Sequence, residues 1–147
     1  MVSQLKPHVI MSEANPNCPK TGEFSWNELI TADTAASGTF YSQLFGWEVT
    51  PFVRPEPASE LPPYLLFKTA ANPMGVGGMM QAMHPSIPTH WTPYVVVDNA
   101  DVSLAKAVEL GAKVCVPVMV VPNVGRIAVI MDPLGAVLGM HELPKQS

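Results

Sequence analysis

Two stretches of the sequence decide the fold: NPMGVGGMMQ at residues 72–81 and DPLGAVLGMH at residues 132–141. Each opens with Asn or Asp, continues with Pro and reaches Gly at its fourth position, which is the preference of a tight turn. Each then runs into residues that favour a β-strand. The stretches align without a gap, which matches Met79 with Gly139. We interpret them as the same turn and strand in the two halves of an internal duplication.

The elements before these stretches recur in the same order. FSWNELIT and HWTPYVVV both have the pattern of an opening strand, and a helix follows each of them. The first helix is predicted to begin at Asp33 or Thr34 and to end at Gly46, while the second begins at Asn99 and ends at Gly111. The apolar face of the first helix is predicted to contain Ala36, Phe40 and Leu44.

Each half therefore has the order strand, helix, strand, strand, strand. Because neither half of about 60 residues buries much core alone, we expect both to pack into one domain of the α+β class. This domain spans residues 23–143, with module one at 23–84 and module two at 90–143. Residues 1–22 show no sustained period and are predicted to be an N-terminal arm. Pro117 interrupts a strand of module two, which predicts a sheet edge or a bulge there.

The composition excludes several classes of protein. The chain has 147 residues, of which 48% are hydrophobic and 14% charged, so it is not of the disordered class. Its 8 Lys and Arg residues lie far apart, which argues against nucleic acid as a partner. No apolar run approaches the roughly 18 residues that span a bilayer, and the first residues do not resemble a signal peptide. We expect a cytoplasmic globular protein without a membrane partner.

Three segments carry a resemblance to a known superfamily: ELITADTAASGTFYSQLFGWEV, VVVDNADVSLAKAVELGAKV and DPLGAVLGM. Over about residues 24–142 the chain resembles the vicinal oxygen chelate superfamily, which includes lactoylglutathione lyase, bleomycin-resistance proteins and extradiol dioxygenases. The opening Trp26-x-Glu28-Leu strand looks most like the glyoxalase-like subgroup, whose substrates are generally unassigned. The resemblance implies two tandem βαβββ modules whose curved sheets surround one cleft, and it implies a homodimer.

The resemblance also locates the positions of a metal site. Metal-dependent members place His, Glu or Gln on the first and last strands of each module. The matching positions of this chain are Trp26, Met79, Thr92 and Gly139. An indole is only a donor, Gly has no side chain, Met suits soft copper, and a neutral Thr hydroxyl is a weak ligand. We therefore expect neither the usual divalent metal nor another cofactor.

A second row of residues lies two positions further along each strand, on the same face and about 6.5 Å away. Its members are Glu28, Gln81, Tyr94 and His141. In the superfamily the first and last strands of a module are parallel, which would place Glu28 beside Gln81 and Tyr94 beside His141. Glu28 and His141 are the candidate catalytic bases. The candidate substrate-binding residues are Trp26, Met79, Gln81, Thr92, Tyr94 and Gly139.

Other roles stay open for the second row. His141 also fits a solvated strand end, and Glu28 also fits a hydrogen bond to a backbone N–H or to the arm. Glu28, Gln81 and His141 together have acceptable ligand types for a displaced metal site.

The function that these residues favour is the binding of a small organic molecule in the cavity between the modules, without the usual divalent metal. The chain then acts either as a binding protein or as an enzyme that uses acid–base chemistry. One alternative is a metal-dependent lyase, isomerase or dioxygenase with the displaced metal site. The other is a resistance protein that sequesters a drug.

Overall fold

The computed structural model describes residues 18–53 and 61–145, so most of the predicted arm lies outside the described residues. The chain divides into two compact units. The first unit spans Trp26–Thr92, and the second unit combines residues 18–25 with residues 93–145. Each unit is described by itself.

The element order along the chain repeats strand, helix and three strands. The predicted α+β class and the two βαβββ modules are therefore confirmed. The elements are β1 (Phe24–Thr31), α1 (Thr34–Phe45), β2 (Glu48–Pro51), β3 (Tyr64–Lys68), β4 (Gly77–Gln81), β5 (His90–Val96), α2 (Ala100–Glu109), β6 (Lys113–Val121), β7 (Gly125–Met131) and β8 (Val137–Glu142). Within the described part of the chain, no helix is both long and apolar enough to cross a membrane.

Helix α1 begins and ends where its capping residues predict. The Asp33 side chain accepts a hydrogen bond from the backbone N–H of Ala36 over 3.0 Å, which satisfies a free donor of the first turn. Gly46 ends the helix in the left-handed conformation, with a φ of 71° that a residue without a side chain adopts at little cost.

The predicted apolar face of α1 is wrong, because this helix packs through its smallest residue. Phe40 and Leu44 are each 57% exposed, whereas Gly38 is buried. A Cβ atom on Gly38 would lie 3.2 Å from Met79 Cε and 3.5 Å from Val49 Cγ2. The helix backbone therefore approaches the sheet closely at Gly38, and Tyr41 packs against the same core cluster, while Phe40 and Leu44 face away from it.

The sheet of the first unit has the strand order β2-β3-β4-β1, with β1 and β4 parallel. Leu29 pairs with Met79, and both pack with Phe67 in a fully buried cluster on the side of α1. Residues of the opposite parity lie on the other side, where the described residues of this unit form no helix. We call this side the helix-free face; its residues are Trp26, Glu28, Ile30, Thr50, Tyr64, Leu66, Gly78 and Met80.

The predicted gapless alignment of the two repeats is wrong by one residue. Tyr94 pairs with Gly139 in the second unit, just as Glu28 pairs with Gly78 in the first. Gly78 is therefore the equivalent of Gly139, and Met79 is not. In this alignment the pair Phe67–Gly77 is equivalent to the pair Ile130–Leu138. The two pairs enclose connections of different length, so a gap is needed between the repeats. A slip of one residue moves every side chain of a strand to its other face.

The second unit has the strand order β5-β8-β7-β6. Its core contains Ala128, Ile130 and Met140, packed against Leu104 and Ala107 of α2. Strand β6 lies at the edge, and its register with β7 shifts on both sides of Val116. The edge or bulge predicted from Pro117 is therefore confirmed.

Residues 18–25 belong to the second unit through hydrogen bonds and packing. The N–H of Gly22 donates to the Val96 carbonyl over 2.8 Å, and the N–H of Val96 donates to the Glu23 carbonyl over 2.9 Å. Cys18 is buried against Val96 and Leu143. The described end of the predicted arm is thus part of this fold.

We expect Met79→Ala to lower the free energy of unfolding by about 2–5 kcal/mol, because it leaves a cavity among fully buried side chains. Met83, which is 61% exposed, provides the matched control, and Met83→Ala should change the free energy by less than about 0.5 kcal/mol. Urea unfolding of both variants measures the difference. Equal effects of the two substitutions would contradict the register of β4.

Candidate functional site

Three side chains of the first unit form a hydrogen-bonded chain on the helix-free face. The indole Nε1–H of Trp26 donates to the Tyr64 hydroxyl over 2.9 Å, and this hydroxyl donates to Glu28 Oε2 over 2.9 Å. All three residues are half-buried. The phenol therefore accepts one hydrogen bond and donates another to the carboxylate. Trp26 and Glu28, both predicted site residues, are linked by a tyrosine that the sequence reasoning did not include.

Gly78 makes room for the Tyr64 ring. A Cβ atom at position 78 would overlap Cε1, Cζ and the hydroxyl oxygen of Tyr64, so the ring lies directly across the backbone of β4. Gly78 is also the cross-strand partner of Glu28, which explains why the phenol reaches the carboxylate. The sequence signal for Tyr64 was therefore a glycine on the strand beside Glu28.

Met79 and Gln81 lie on the side of α1, away from Trp26 and Glu28. Met79 is fully buried in the core. Gln81 is exposed, pairs with Thr31 and donates a hydrogen bond from Nε2 to the Ala32 carbonyl. The predicted pairing of Glu28 with Gln81 is wrong, because the register matches Glu28 with Gly78. The same register replaces Met79 by Gly78 as the last-strand position of module one.

The donor set at the superfamily's metal positions does not fit a divalent ion. With the corrected register these positions hold Trp26, Gly78, Thr92 and Gly139, and only Thr92 carries an oxygen in its side chain. The described residues contain no group of three His, Cys, Asp or Glu side chains that could hold a metal. The displaced site built on Glu28 and Gln81 is wrong as well, because these two residues lie on opposite faces of one sheet.

One hydroxyl on the helix-free face is buried without a partner. Among residues 18–53 and 61–145, Thr50 Oγ1 is the one buried side-chain nitrogen or oxygen atom that has no hydrogen-bond partner. Thr50 pairs with Leu66 and Leu66 with Gly78, so the hydroxyl lies in the same cross-strand row as Glu28. A buried hydroxyl without a hydrogen bond costs about 1–3 kcal/mol. The face therefore carries an unsatisfied polar group besides the Trp26–Tyr64–Glu28 chain.

The predicted residues of module two are all buried. Thr92 is 2% exposed and Tyr94 4%, and the Tyr94 ring lies where a Cβ atom on Gly139 would be. His141 pairs with Val96, whereas Tyr94 pairs with Gly139. The predicted position of Tyr94 beside His141 is therefore wrong by two residues, although both side chains lie on the same face.

Both ring nitrogens of His141 have hydrogen-bond partners within the second unit. Nε2 lies 2.6 Å from the Val124 carbonyl oxygen, and Nδ1 lies 3.0 Å from Ser25 Oγ. Because a carbonyl only accepts, we assign the proton to Nε2, which leaves Nδ1 to accept from the serine. Burial lowers the pKa of His141, and the Val124 carbonyl opposes this effect. The alternative of a solvated strand end is wrong, since the side chain is 3% exposed.

Arg126 is held by two carboxylates of its own unit. Its guanidinium contacts Asp101 of α2 and donates to Glu142 over 3.0 Å, and Glu142 also accepts from the N–H of Ala100 over 2.8 Å. The hydrogen bond with Asp101 is the main cause that raises the pKa of Arg126. The residue therefore fastens the start of α2 to the end of β8.

Comparison with known proteins gives one matching family and relatives of greater length. Residues 27–138 match the family described as a glyoxalase-like domain. The Mycobacterium tuberculosis protein CFP32, which carries a provisional name as a glyoxylase, is 36% identical over 121 residues, covering 82% of this chain and 44% of the relative. The anthracycline biosynthesis protein DnrV of Streptomyces peucetius is 33% identical over 132 residues, covering 78% of this chain and 45% of the relative. The chain spans less than half the length of these curated relatives.

A solved structure confirms the fold without any assignment of activity. Homoprotocatechuate 2,3-dioxygenase from Brevibacterium fuscum superimposes with a TM-score of 0.56 at 17% identity, covering 88% of this chain and 39% of that one. At this identity the likeness concerns the arrangement of strands and helices alone.

We expect the stability of the protein to fall as the pH drops below about 6.5, the ordinary pKa of histidine. The folded state keeps His141 neutral, while the unfolded chain takes up a proton. Stability is therefore lost as the pH falls from about 6.5, the ordinary pKa, through the lowered pKa of the folded state. Urea midpoints at pH 7.5 and 5.5 should differ less in His141→Gln than in the wild type. His84→Gln, at an exposed histidine, should keep the wild-type pH dependence. Equal pH dependence in the wild type and His141→Gln would contradict this role of His141.

We expect Tyr64→Phe and Glu28→Gln to be coupled, because the first removes the donor of one hydrogen bond and the second removes the negative charge of its acceptor. A double-mutant cycle by urea unfolding should give a coupling energy of about 1–2 kcal/mol, as for a hydrogen bond to a charged group. The control cycle pairs Tyr64→Phe with Glu48→Gln, at an exposed carboxylate whose cross-strand partner is Lys68, and should be additive within about 0.5 kcal/mol. Additive effects in the first cycle would contradict the bond between Tyr64 and Glu28.

Proposed function

Because this chain belongs to the glyoxalase-like family, we propose that it binds a small organic molecule on the helix-free face of its first unit and uses Glu28 to accept a proton from it. The observation that carries the proposal is the hydrogen-bonded chain from Trp26 through Tyr64 to Glu28. A half-buried carboxylate that accepts from a phenol, on a face otherwise rich in apolar side chains, is the arrangement expected of a proton-transfer site.

The three residues divide the chemistry among them. The Trp26 N–H fixes the orientation of the Tyr64 hydroxyl, because it occupies an acceptor position of that oxygen. The hydroxyl in turn donates to Glu28 Oε2 and stabilises the ionised carboxylate, which is the form able to accept a proton. A ligand with an acidic O–H or C–H group placed against Glu28 would give up its proton to the carboxylate, and Tyr64 would then hold the neutral acid in place.

The surroundings favour a flat and largely apolar ligand. Ile30, Leu66 and Met80 supply aliphatic surface on the helix-free face, and the thioether of Met80 adapts its shape to different partners. The name of the relative DnrV places that protein in anthracycline biosynthesis, which makes planar aromatic compounds the first ligands to try.

No divalent ion takes part in this proposal. The first-strand position that holds a ligand in metal-dependent members is Trp26, whose only polar atom is a donor that is already bound to Tyr64. Its last-strand counterpart, Gly78, is filled by the Tyr64 ring. The proton-transfer residues therefore occupy the space that a metal site would need.

Sequestration of a drug is the second candidate function, and the apolar surface around Met80 favours it equally. The two functions differ in the fate of the ligand, since a sequestering protein releases it unchanged. The homodimer and the cytoplasmic location expected from the sequence stay predictions. Pairing of two chains is supported by the exposed apolar side chains of α1, which include Phe40, Leu44 and Phe45.

We expect an anthracycline or 2-naphthol to raise the melting temperature of the protein, since a ligand at 100 times its Kd adds about 2.7 kcal/mol to stability. Gly78→Ala should weaken binding at least about tenfold in calorimetric titration, because the added methyl group displaces the Tyr64 ring. The control Met83→Ala, at an exposed residue, should bind as the wild type does. Equal affinity of wild type and Gly78→Ala would contradict a site on this face.

Proton transfer is measured separately, as exchange of a ligand C–H for deuterium followed by NMR. Glu28→Gln should bind the ligand and lose this exchange, because the amide is no longer a base. A ligand that binds to the wild type and is recovered without exchange would support sequestration instead.

A further inference from the structure

A second group of polar side chains lies in the second unit, apart from the helix-free face. Ser25 Oγ lies 3.0 Å from His141 Nδ1, and His141 Nε2 lies 2.6 Å from the Val124 carbonyl oxygen. The three residues come from β1, from β8 and from the connection between β6 and β7. Residues distant in sequence thus form one hydrogen-bonded line from hydroxyl to imidazole to carbonyl.

The carbonyl determines which nitrogen of His141 can act as a base. Since the Val124 oxygen accepts a proton from Nε2, the lone pair of the neutral ring is on Nδ1, directed at the Ser25 hydroxyl. Burial lowers the pKa of His141, so the ring is neutral and able to accept a proton at neutral pH. When the ring becomes an imidazolium, the Val124 carbonyl stabilises its Nε2–H. In a catalytic triad the third residue has this role, because it accepts a hydrogen bond from the histidine that acts as the base.

A second serine–histidine contact, between Ser86 and His84, differs from the contact between Ser25 and His141 in two respects. Ser86 Oγ lies 2.6 Å from His84 Nδ1, but the backbone N–H of Ser86 also donates to that nitrogen over 3.1 Å. The Nδ1 lone pair of His84 is therefore already engaged by a backbone donor, and the pair is exposed to water. His141 is 3% exposed. Within residues 18–53 and 61–145, Ser25 Oγ has one other partner, the Tyr94 carbonyl, to which it donates a longer hydrogen bond of 3.4 Å.

Ser25 is partly accessible, and the second unit contains a small cavity. The residue is half-buried and follows residues 22–24, which are exposed. A small cavity of the second unit is lined by Pro19, Lys20, Thr21, Val96 and Leu143. Val96 is the cross-strand partner of His141, and Leu143 follows His141 by two residues, so two of the lining residues are neighbours of His141 on the same face. The size of the cavity suits a short acyl group.

We propose that Ser25 is a nucleophile, activated by His141, for esters of short-chain carboxylic acids. Ser25 Oγ bonds to the acyl carbon while its proton passes to His141 Nδ1. The bond between the acyl carbon and the leaving oxygen then breaks, and that oxygen takes the proton from Nδ1. Water repeats the sequence: it gives a proton to Nδ1 and its oxygen bonds to the acyl carbon, the Oγ–acyl bond breaks, and Ser25 recovers the proton.

An ethyl fluorophosphonate tests the nucleophile directly on the wild-type protein, since the attack releases fluoride and leaves a stable phosphonyl group on the serine. We expect one phosphonyl group per chain by intact mass, located on Ser25 by peptide mapping. Ser25→Ala should abolish the adduct, and His141→Gln should slow its formation at least about 100-fold. Ser86→Ala, at the exposed pair, should leave the rate unchanged.

The ester class is tested by the initial burst of p-nitrophenol from p-nitrophenyl esters. Acetate should acylate Ser25 at least about tenfold faster than octanoate, because the cavity is small. Absence of an adduct on Ser25 of the folded wild-type protein would overturn the proposal, as would labelling of Ser25 at an equal rate in wild type and a folded His141→Gln. If His141→Gln does not fold, as judged by circular dichroism, the wild-type mapping and the acetate-to-octanoate ratio decide alone.

Discussion

The parallel pairing of β1 with β4 is the constraint on which the first unit depends. Its register sets Leu29 beside Met79 on the side of α1 and Glu28 beside Gly78 on the other side. The first pair closes the core with Phe67, and the second leaves room for an aromatic ring above a backbone without a side chain. A single set of backbone hydrogen bonds thus determines both the stability of the unit and the place of its carboxylate.

The equivalent glycines of the two repeats, Gly78 and Gly139, have different neighbours. In each unit the last strand has a glycine at the position that pairs with the first strand, and a tyrosine ring fills the space above it. In the second unit Tyr94 belongs to the first strand itself, so the tyrosine stands where the first unit has Glu28. In the first unit Tyr64 comes from β3, which frees the first-strand position for a carboxylate. The two units therefore share this packing of a tyrosine ring on a glycine, and in the first unit a carboxylate lies next to it.

The sequence predicts the order of elements well and the faces of β4 poorly, for a physical reason. The caps of α1 and the repeat order follow from local chemistry, as at Asp33 and Gly46. Strand β4 contains Gly77, Gly78, Met79 and Met80, so each of its faces receives one glycine and one methionine, and composition cannot choose between them. The predicted apolar face of α1 failed for a related reason, because the close approach at Gly38 outweighs the burial of larger side chains. The partners of His141 lie far from it in sequence, at Ser25 and Val124, where no periodicity relates them.

The chemistry of the superfamily's metal positions and the hydrogen bond to Glu28 are linked through one residue, Trp26. The indole nitrogen of Trp26 cannot ligate a divalent metal ion. Its N–H favours a neighbour with an acceptor oxygen or a negative charge. The Tyr64 hydroxyl oxygen accepts this hydrogen bond and donates its own proton to Glu28. An oxygen that accepts a hydrogen bond becomes a stronger donor, so the first hydrogen bond strengthens the second. A metal in the same space would have to displace the Tyr64 ring from Gly78 and leave the Trp26 N–H without its acceptor. The Trp26 indole, the Tyr64 ring and Gly78 therefore form one interdependent arrangement, and the proposed role of Glu28 depends on all three.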